Sequence, residues 1–186
     1  MRPFFALIAA LGLLAGCKND DPTLEFTVPV RNQLFVIDAG LSTFDSHFYN
    51  FTDVPLGLDS LSSFFNFDLD NAAAIRPASA RLDALFGGAD YSFAREVSFR
   101  ICSDAETEKL RRGEPEECGR EIFWRNPVPE SVGGRLDLVA NENNLLEALR
   151  GREVATFQLK LVSPLFRSPD QFIESRLSMD FQVFSE

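Results

Sequence analysis

Apolar and polar residues alternate most cleanly in three stretches. Val97, Phe99 and Ile101 are separated by Ser98 and Arg100. Phe157, Leu159 and Leu161 are separated by Gln158 and Lys160, and Leu177, Met179, Phe181 and Val183 by Ser178, Asp180 and Gln182. A period of two is that of a β-strand, because successive side chains point to opposite faces. One dry face and one wet face is the pattern of antiparallel sheets. Weaker versions of the pattern predict strands over Glu25 to Val30, Gln33 to Asp38, His47 to Thr52, Ser79 to Phe86, Arg120 to Arg125 and Arg135 to Val139.

Helical spacing occurs in two short segments. Asp59 is placed to cap a helix through about Phe67, with Leu61, Phe64 and Phe65 inward. A second helix is expected from Asn141 to Arg150, where Leu145, Leu146 and Leu149 share a face and Gly151 supplies the stop. Ser103 to Glu117 is charged and helix-prone until Gly113 and Pro115, and reads as a long exposed excursion inside a hairpin. Gly87-Gly88 is suited to a hairpin turn, since glycine tolerates positive φ. Some nine strands and two small helices predict an all-β chain. The default is an antiparallel β-sandwich of immunoglobulin-like arrangement. A lipocalin-like barrel is the rival, but the helical insertions and the long run from 53 to 78 suit it less well. With no repeat and no interdomain linker, residues 25–186 read as one domain.

Composition changes this picture in two ways. There are 19 phenylalanines against one tryptophan and two tyrosines. Phe buries area without needing a polar partner, so a large apolar core is expected. Sugar-binding faces usually offer Trp and Tyr, which weighs against a carbohydrate reading without removing it. The net charge of −10 comes with no basic stretch, which excludes nucleic-acid binding as a class.

The first residues have a pattern of their own. Arg2 precedes an apolar run from Phe4 to Leu14, well short of the roughly 20 residues needed to cross a bilayer. Leu14-Ala15-Gly16-Cys17 then resembles the lipobox of bacterial lipoproteins. The resemblance implies a signal peptide over residues 1–16, cleavage before Cys17, and acyl chains on that thiol. Residues 17–24 become a lipidated cysteine and tether. An ordinary secretory signal with an incidental cysteine is the alternative. Lys18-Asn19-Asp20-Asp21-Pro22 resembles the acidic export signal of surface lipoproteins in the Bacteroidota. It implies an outer-membrane protein at the cell surface, with the periplasmic face as the alternative. Ile37 to Tyr49 is similar to a segment of uncharacterised lipoproteins of that group, which have no function to transfer. Asp59-Ser60-Leu61 resembles their short O-glycosylation signal and implies Ser60 as an acceptor.

An exported chain meets an oxidising compartment, where disulfides persist. Setting aside Cys17, the cysteines left are Cys102 and Cys118, an even count. A bridge between them closes a loop of about 15 residues and stabilises the fold by about 3 kcal/mol in the chain-entropy model. Zinc is the poorer reading, because the single His47 is far away in sequence.

Candidate chemistry is sparse. His47 follows Asp45 and Ser46 directly, and neighbours in a strand point to opposite faces. No Gly-x-Ser-x-Gly elbow is present. A hydrogen-bonded histidine at a strand start is the expectation. Asp68-Leu69-Asp70-Asn71 has calcium-like spacing, but the EF-hand glycine and glutamate positions hold Ala73 and Ser79. A capped helix start is expected there. Trp124, in Ile122-Phe123-Trp124-Arg125, should share a face with Ile122 and enter the core, with a stacking platform as the alternative. No catalytic residue, metal or cofactor is predicted. The pattern as a whole implies a non-enzymatic outer-membrane lipoprotein, acting as an accessory or binding subunit beside an envelope protein partner. The alternative is a surface adhesin or glycan-binding module using Trp124, Tyr49 and Tyr91. A hydrolase using unmarked carboxylates is a third reading.

Overall fold

A computed structural model describes residues 22–86, 89–163 and 167–186. The expected signal peptide, Cys17, the first part of the tether and the turn expected at Gly87-Gly88 lie outside the described residues. The strands are β1 (Thr23–Ile37), β2 (Ser46–Pro55), β3 (Ala72–Ala84), β4 (Glu96–Ile101), β5 (Arg120–Arg125), β6 (Arg135–Ala140), β7 (Val154–Val162) and β8 (Ile173–Ser185). Helices α1 (Leu58–Phe65), α2 (Asp104–Arg111) and α3 (Leu146–Leu149) lie in the connections.

The chain is all-β and antiparallel, as its alternation requires. Among the described residues eight strands form rather than nine, because the two segments expected over 25–38 are one strand. A bulge between Val30 and Gln33, with Asn32 at φ 59°, inserts one residue into β1. The inward positions therefore switch from Phe26, Val28 and Val30 to Phe35 and Ile37, and the parity break mimics a turn. β3 starts at Ala72 rather than Ser79, since small Ala72 and Ala74 fill its first inward positions.

The helices depart further from expectation. Asp59 does not cap α1; Gly57, at φ 65°, occupies that place and no side chain caps the helix. The buried stripe then falls on Leu58 and Ser62, and Phe64 is left 81% exposed rather than inward. The expected helix over 141–150 shortens to α3. Its first residues are held out of helical geometry by asparagine side chains, which compete for backbone groups. The Asn144 side-chain oxygen accepts from the amides of Ile75 (3.2 Å) and Leu146 (3.0 Å). Leu145 and Leu149 are buried as their spacing suggests.

The strand order is β1-β8-β3-β6-β5-β4-β7-β2. One half, β1-β8-β3-β6, and the other, β5-β4-β7-β2, meet at a short ladder where Phe123 and Trp124 face Ala140 and Val139. This is the double Greek-key order of a jelly roll. It replaces the immunoglobulin-like default, whose sheets combine neighbouring strands differently. The sandwich nearly closes on its other side, where Phe35 of β1 lies 5.0 Å from Tyr49 and 5.6 Å from Phe51 of β2. Inside, rings from both sheets meet: Phe99 stacks on Phe157 at 5.4 Å, and Phe181 lies 6.0 Å from both Phe157 and Phe123. Each fully buried ring contributes roughly 1.5–3 kcal/mol. Only part of the phenylalanine serves this core, because Phe44, Phe64, Phe86 and Phe172 are largely exposed.

The registers give the sandwich two distinct ends. Thr23, Pro55, Ala72, Ile101, Arg120, Ala140, Val154 and Ser185 all lie at one end. That end holds the three helices. Residues 38–45, 85–86, 89–95, 126–134, 163 and 167–172 lie at the other end and contain no described helix.

Candidate functional site

The most elaborated surface is the outer face of the β5-β4-β7-β2 sheet. The chain leaves β4 at Cys102 and re-enters at β5 after Cys118, and the two cysteines are bonded with Cα atoms 4.8 Å apart. Both are buried. Between them, Ser103 starts α2 through a capping box: the Ser103 hydroxyl accepts from the Glu106 amide, and the Glu106 carboxylate accepts from the Ser103 amide (2.6 Å). Glu106 also accepts from the Gly119 amide at 2.9 Å, which ties the start of the excursion to its end. Burial acts to raise the Glu106 carboxyl, but these bonds and the charge of Lys109 outweigh it and hold it below the ordinary value.

The expected exposed excursion instead folds back onto the sheet. Gln158, at a nominally wet position of β7, is fully buried beneath it. Its amide accepts from the Cys118 N–H (3.0 Å) and donates to the Glu116 carbonyl and the Asn50 side chain (both 2.8 Å). Arg100 donates to the Cys118 carbonyl at 2.9 Å. Glu117 accepts from Lys160 at 2.8 Å and lies 3.3 Å from Arg100. The Lys160 hydrogen bond, against a smaller opposing effect of burial, and the charges of Lys160 and Arg100 hold the Glu117 carboxyl below its ordinary value. A signal for this cover existed in the sequence. Thr156 and Gln158 are uncharged, whereas the corresponding face of β8 carries Glu174, Arg176 and Asp180.

Shallow depressions flank the excursion. One, of about 560 Å³, separates α2 from β7 and is lined by Asp53, Asp104, Glu108, Arg111, Arg152 and Glu153 among others. Arg111 pairs with Asp53, and Arg152 with Asp104 at 2.8 Å. Another, of about 490 Å³, exposes Phe48, Leu110 and Pro115 beside Glu116 and Glu117. Asp53, Asp104, Glu116 and Glu117 at these rims each pair with a cation of the same surface.

Trp124 stands at the edge of this face, 37% exposed. A bulge explains why it leaves the core. Phe99 of β4 pairs with Phe123, but the next residue, Arg100, pairs with Glu121, so Ile122 is extra. Ile122 and Phe123 both turn inward and Trp124 turns out, opposite Ser98 and Val139. Val139 is also exposed, which makes a small apolar patch at the junction of the two sheets.

The remaining sequence candidates are scattered. Tyr91 is fully buried, with its hydroxyl 3.1 Å from Ser175, so it offers no ring to a ligand. Burial, and less so the charge of Asp83, pushes its phenol up to about 12 against a lowering hydrogen bond from Ser175. Tyr49 is half-buried against Phe35, and burial, then the charge of Asp38, pushes it up to about 12. His47 opens β2 with its ring 2.7 Å from the Ser42 carbonyl, while Asp45 accepts from the Ser42 hydroxyl. This is the hydrogen-bonded strand start expected from its position. Asp68 caps a short 3-10 turn over Leu69–Asn71. Ser60 is exposed in the first turn of α1. Among the described residues, no three His, Cys, Asp or Glu side chains gather as a metal set. No described helix is long and apolar enough to cross a membrane.

No family model matches this chain, and no curated protein does. Among solved structures, the chain aligns with one from Desmodium yellow mottle tymovirus, at 13% identity over 93% of both chains, with a TM-score of 0.29. A likeness that weak carries no argument about fold or function.

Proposed function

We propose that the chain is a non-enzymatic lipoprotein, anchored through Cys17 at the surface of an outer membrane and serving as a binding or accessory subunit. The carrying observation is Leu14-Ala15-Gly16-Cys17 behind a basic start and a short apolar core. Two features support it. The bonded, buried Cys102–Cys118 pair suits an oxidising compartment. The surface around the excursion displays paired charges of both signs, which suit recognition of a protein partner. Mass spectrometry of the protein extracted from membranes should find an acylated N-terminal Cys17, and Cys17→Ser should release it in soluble form. Affinity capture from native membranes should then recover an envelope partner. Recovery as a lone monomer would count against the subunit role.

Exposed Trp124 beside Val139 favours a second reading, a glycan-binding module stacking a sugar ring on that patch. Trp124→Ala should abolish binding on a glycan array while leaving the fold intact. An unsubstituted protein with no hits removes this reading.

A further inference from the structure

The end of the sandwich that receives the tether carries apolar side chains that stay exposed to solvent. Phe64 is 81% exposed, Phe65 48% and Leu24 48%. They are held in place by the fold. Phe65 stacks on the buried Phe26 of β1 with ring centroids 5.4 Å apart, and Phe64 packs edge-on against Phe65 at 5.1 Å. α1 is therefore fixed against the start of β1. Only six residue steps separate Thr23 from Cys17. Fully extended they span at most about 22 Å. A lipid on Cys17 keeps this end, and not the far loop end, within that distance of the headgroups. Tethering of this kind raises the local concentration of the membrane surface at α1.

We propose that α1 rests in the headgroup layer of the bilayer that holds Cys17, with Phe64 as its deepest side chain and the loop end facing away. This rests on the lipid-anchor reading above. Helices that lie in the membrane interface sit roughly 5–10 Å into the headgroup–acyl boundary. Asp59, Asp68 and Asp70 surround the aromatic pair in sequence, so the surface suits zwitterionic rather than anionic lipid. Ser60 lies one turn before Phe64 on the same stripe of α1. A sugar there would stand between the helix and the membrane.

The test uses the full-length gene product purified from membranes and reconstituted in phosphatidylcholine vesicles containing brominated lipid. Trp124→Phe removes the native indole, and Phe64→Trp or Phe44→Trp places a single reporter at either end. Phe44, in the 38–45 connection, is 79% exposed, so both positions tolerate the larger ring. Emission from position 64 should fall by about half and that from position 44 should not change. Replacing part of the phosphatidylcholine with phosphatidylglycerol should weaken the quenching. In the unsubstituted protein, amide exchange over residues 58–67 should slow on vesicles relative to detergent. An acylated Cys17 with equal or absent quenching at the two positions overturns the seating and leaves the anchor standing. An unacylated Cys17 overturns both. A hexose on Ser60 in protein from native membranes overturns the seating alone.

Discussion

β7 and β8 alternate equally well in sequence, yet they meet different surroundings. β8 lies in the open half of the sandwich. Its inward residues are buried without a break, and Glu174, Arg176, Asp180 and Gln182 between them keep contact with water. β7 lies in the covered half. Thr156 and Gln158 occupy outward positions and are buried all the same, because the disulfide-bonded excursion lies over them. Period-two alternation thus reports which face meets the core. It is silent about the other face, whose fate is decided by a segment far away in the chain. In the open half that face is held by exposed ion pairs such as Arg135–Asp137, and in the covered half by a buried amide with every hydrogen-bonding group engaged.

The strongest way to break this contrast is to release the cover. Replacing Cys102 and Cys118 together by alanine should cost about 3 kcal/mol in denaturant unfolding. Hydrogen exchange should then accelerate in β7 around Gln158 while β8 keeps its protection. Equal loss in both strands would show that the cover is not a separate unit. Next comes Gln158→Leu, which strands the Cys118 amide and the Glu116 carbonyl without partners and should cost about 2 kcal/mol. The matching substitution on the open face, Gln182→Leu, should stay within about 0.5 kcal/mol. Similar values for the two would sink the distinction. Ser103→Ala removes the cap of α2 and should cost about 1 kcal/mol, read from the same unfolding curves.

Acid should act unevenly as well. Glu106 and Glu117 have depressed folded values, so the stability they confer is present above the ordinary carboxylate value of 4.5 and is lost as pH falls through the folded ones. Proteolysis within residues 103–117 should quicken below that pH before the sheets unfold. A single cooperative acid transition, with no early cleavage there, would contradict it. The smallest effect is expected on the open face. Arg135→Ala breaks an exposed pair and should change stability by less than about 0.5 kcal/mol.

Much of the sandwich was legible because burial imposes its period on every strand that faces the core. β5 was read to its boundaries, and the disulfide followed from compartment and count. The illegible parts have several local causes, the first of them an added residue in a strand. One extra residue at Asn32 split β1 into two apparent strands, and Ile122 turned Trp124 from the core to the surface. Neither bulge leaves a composition mark. Phe64 was read as inward because helix periodicity assumes where the first turn starts. Gly57 starts it elsewhere, and the inward stripe moves to Leu58 and Ser62. Strand order lay beyond reach, since alternation carries no information about which strands are neighbours.

That order has a consequence for how the molecule is made. β8, the last strand along the chain, is not an edge but sits between β1 and β3. A polypeptide emerging from its N-terminus cannot complete that sheet until almost all of it has been released. Pairing between such distant segments is also slow to nucleate. Under the export proposed above, both properties help. Passage through a narrow channel requires an unfolded thread, and the late arrival of the central strand delays collapse until the far side is reached.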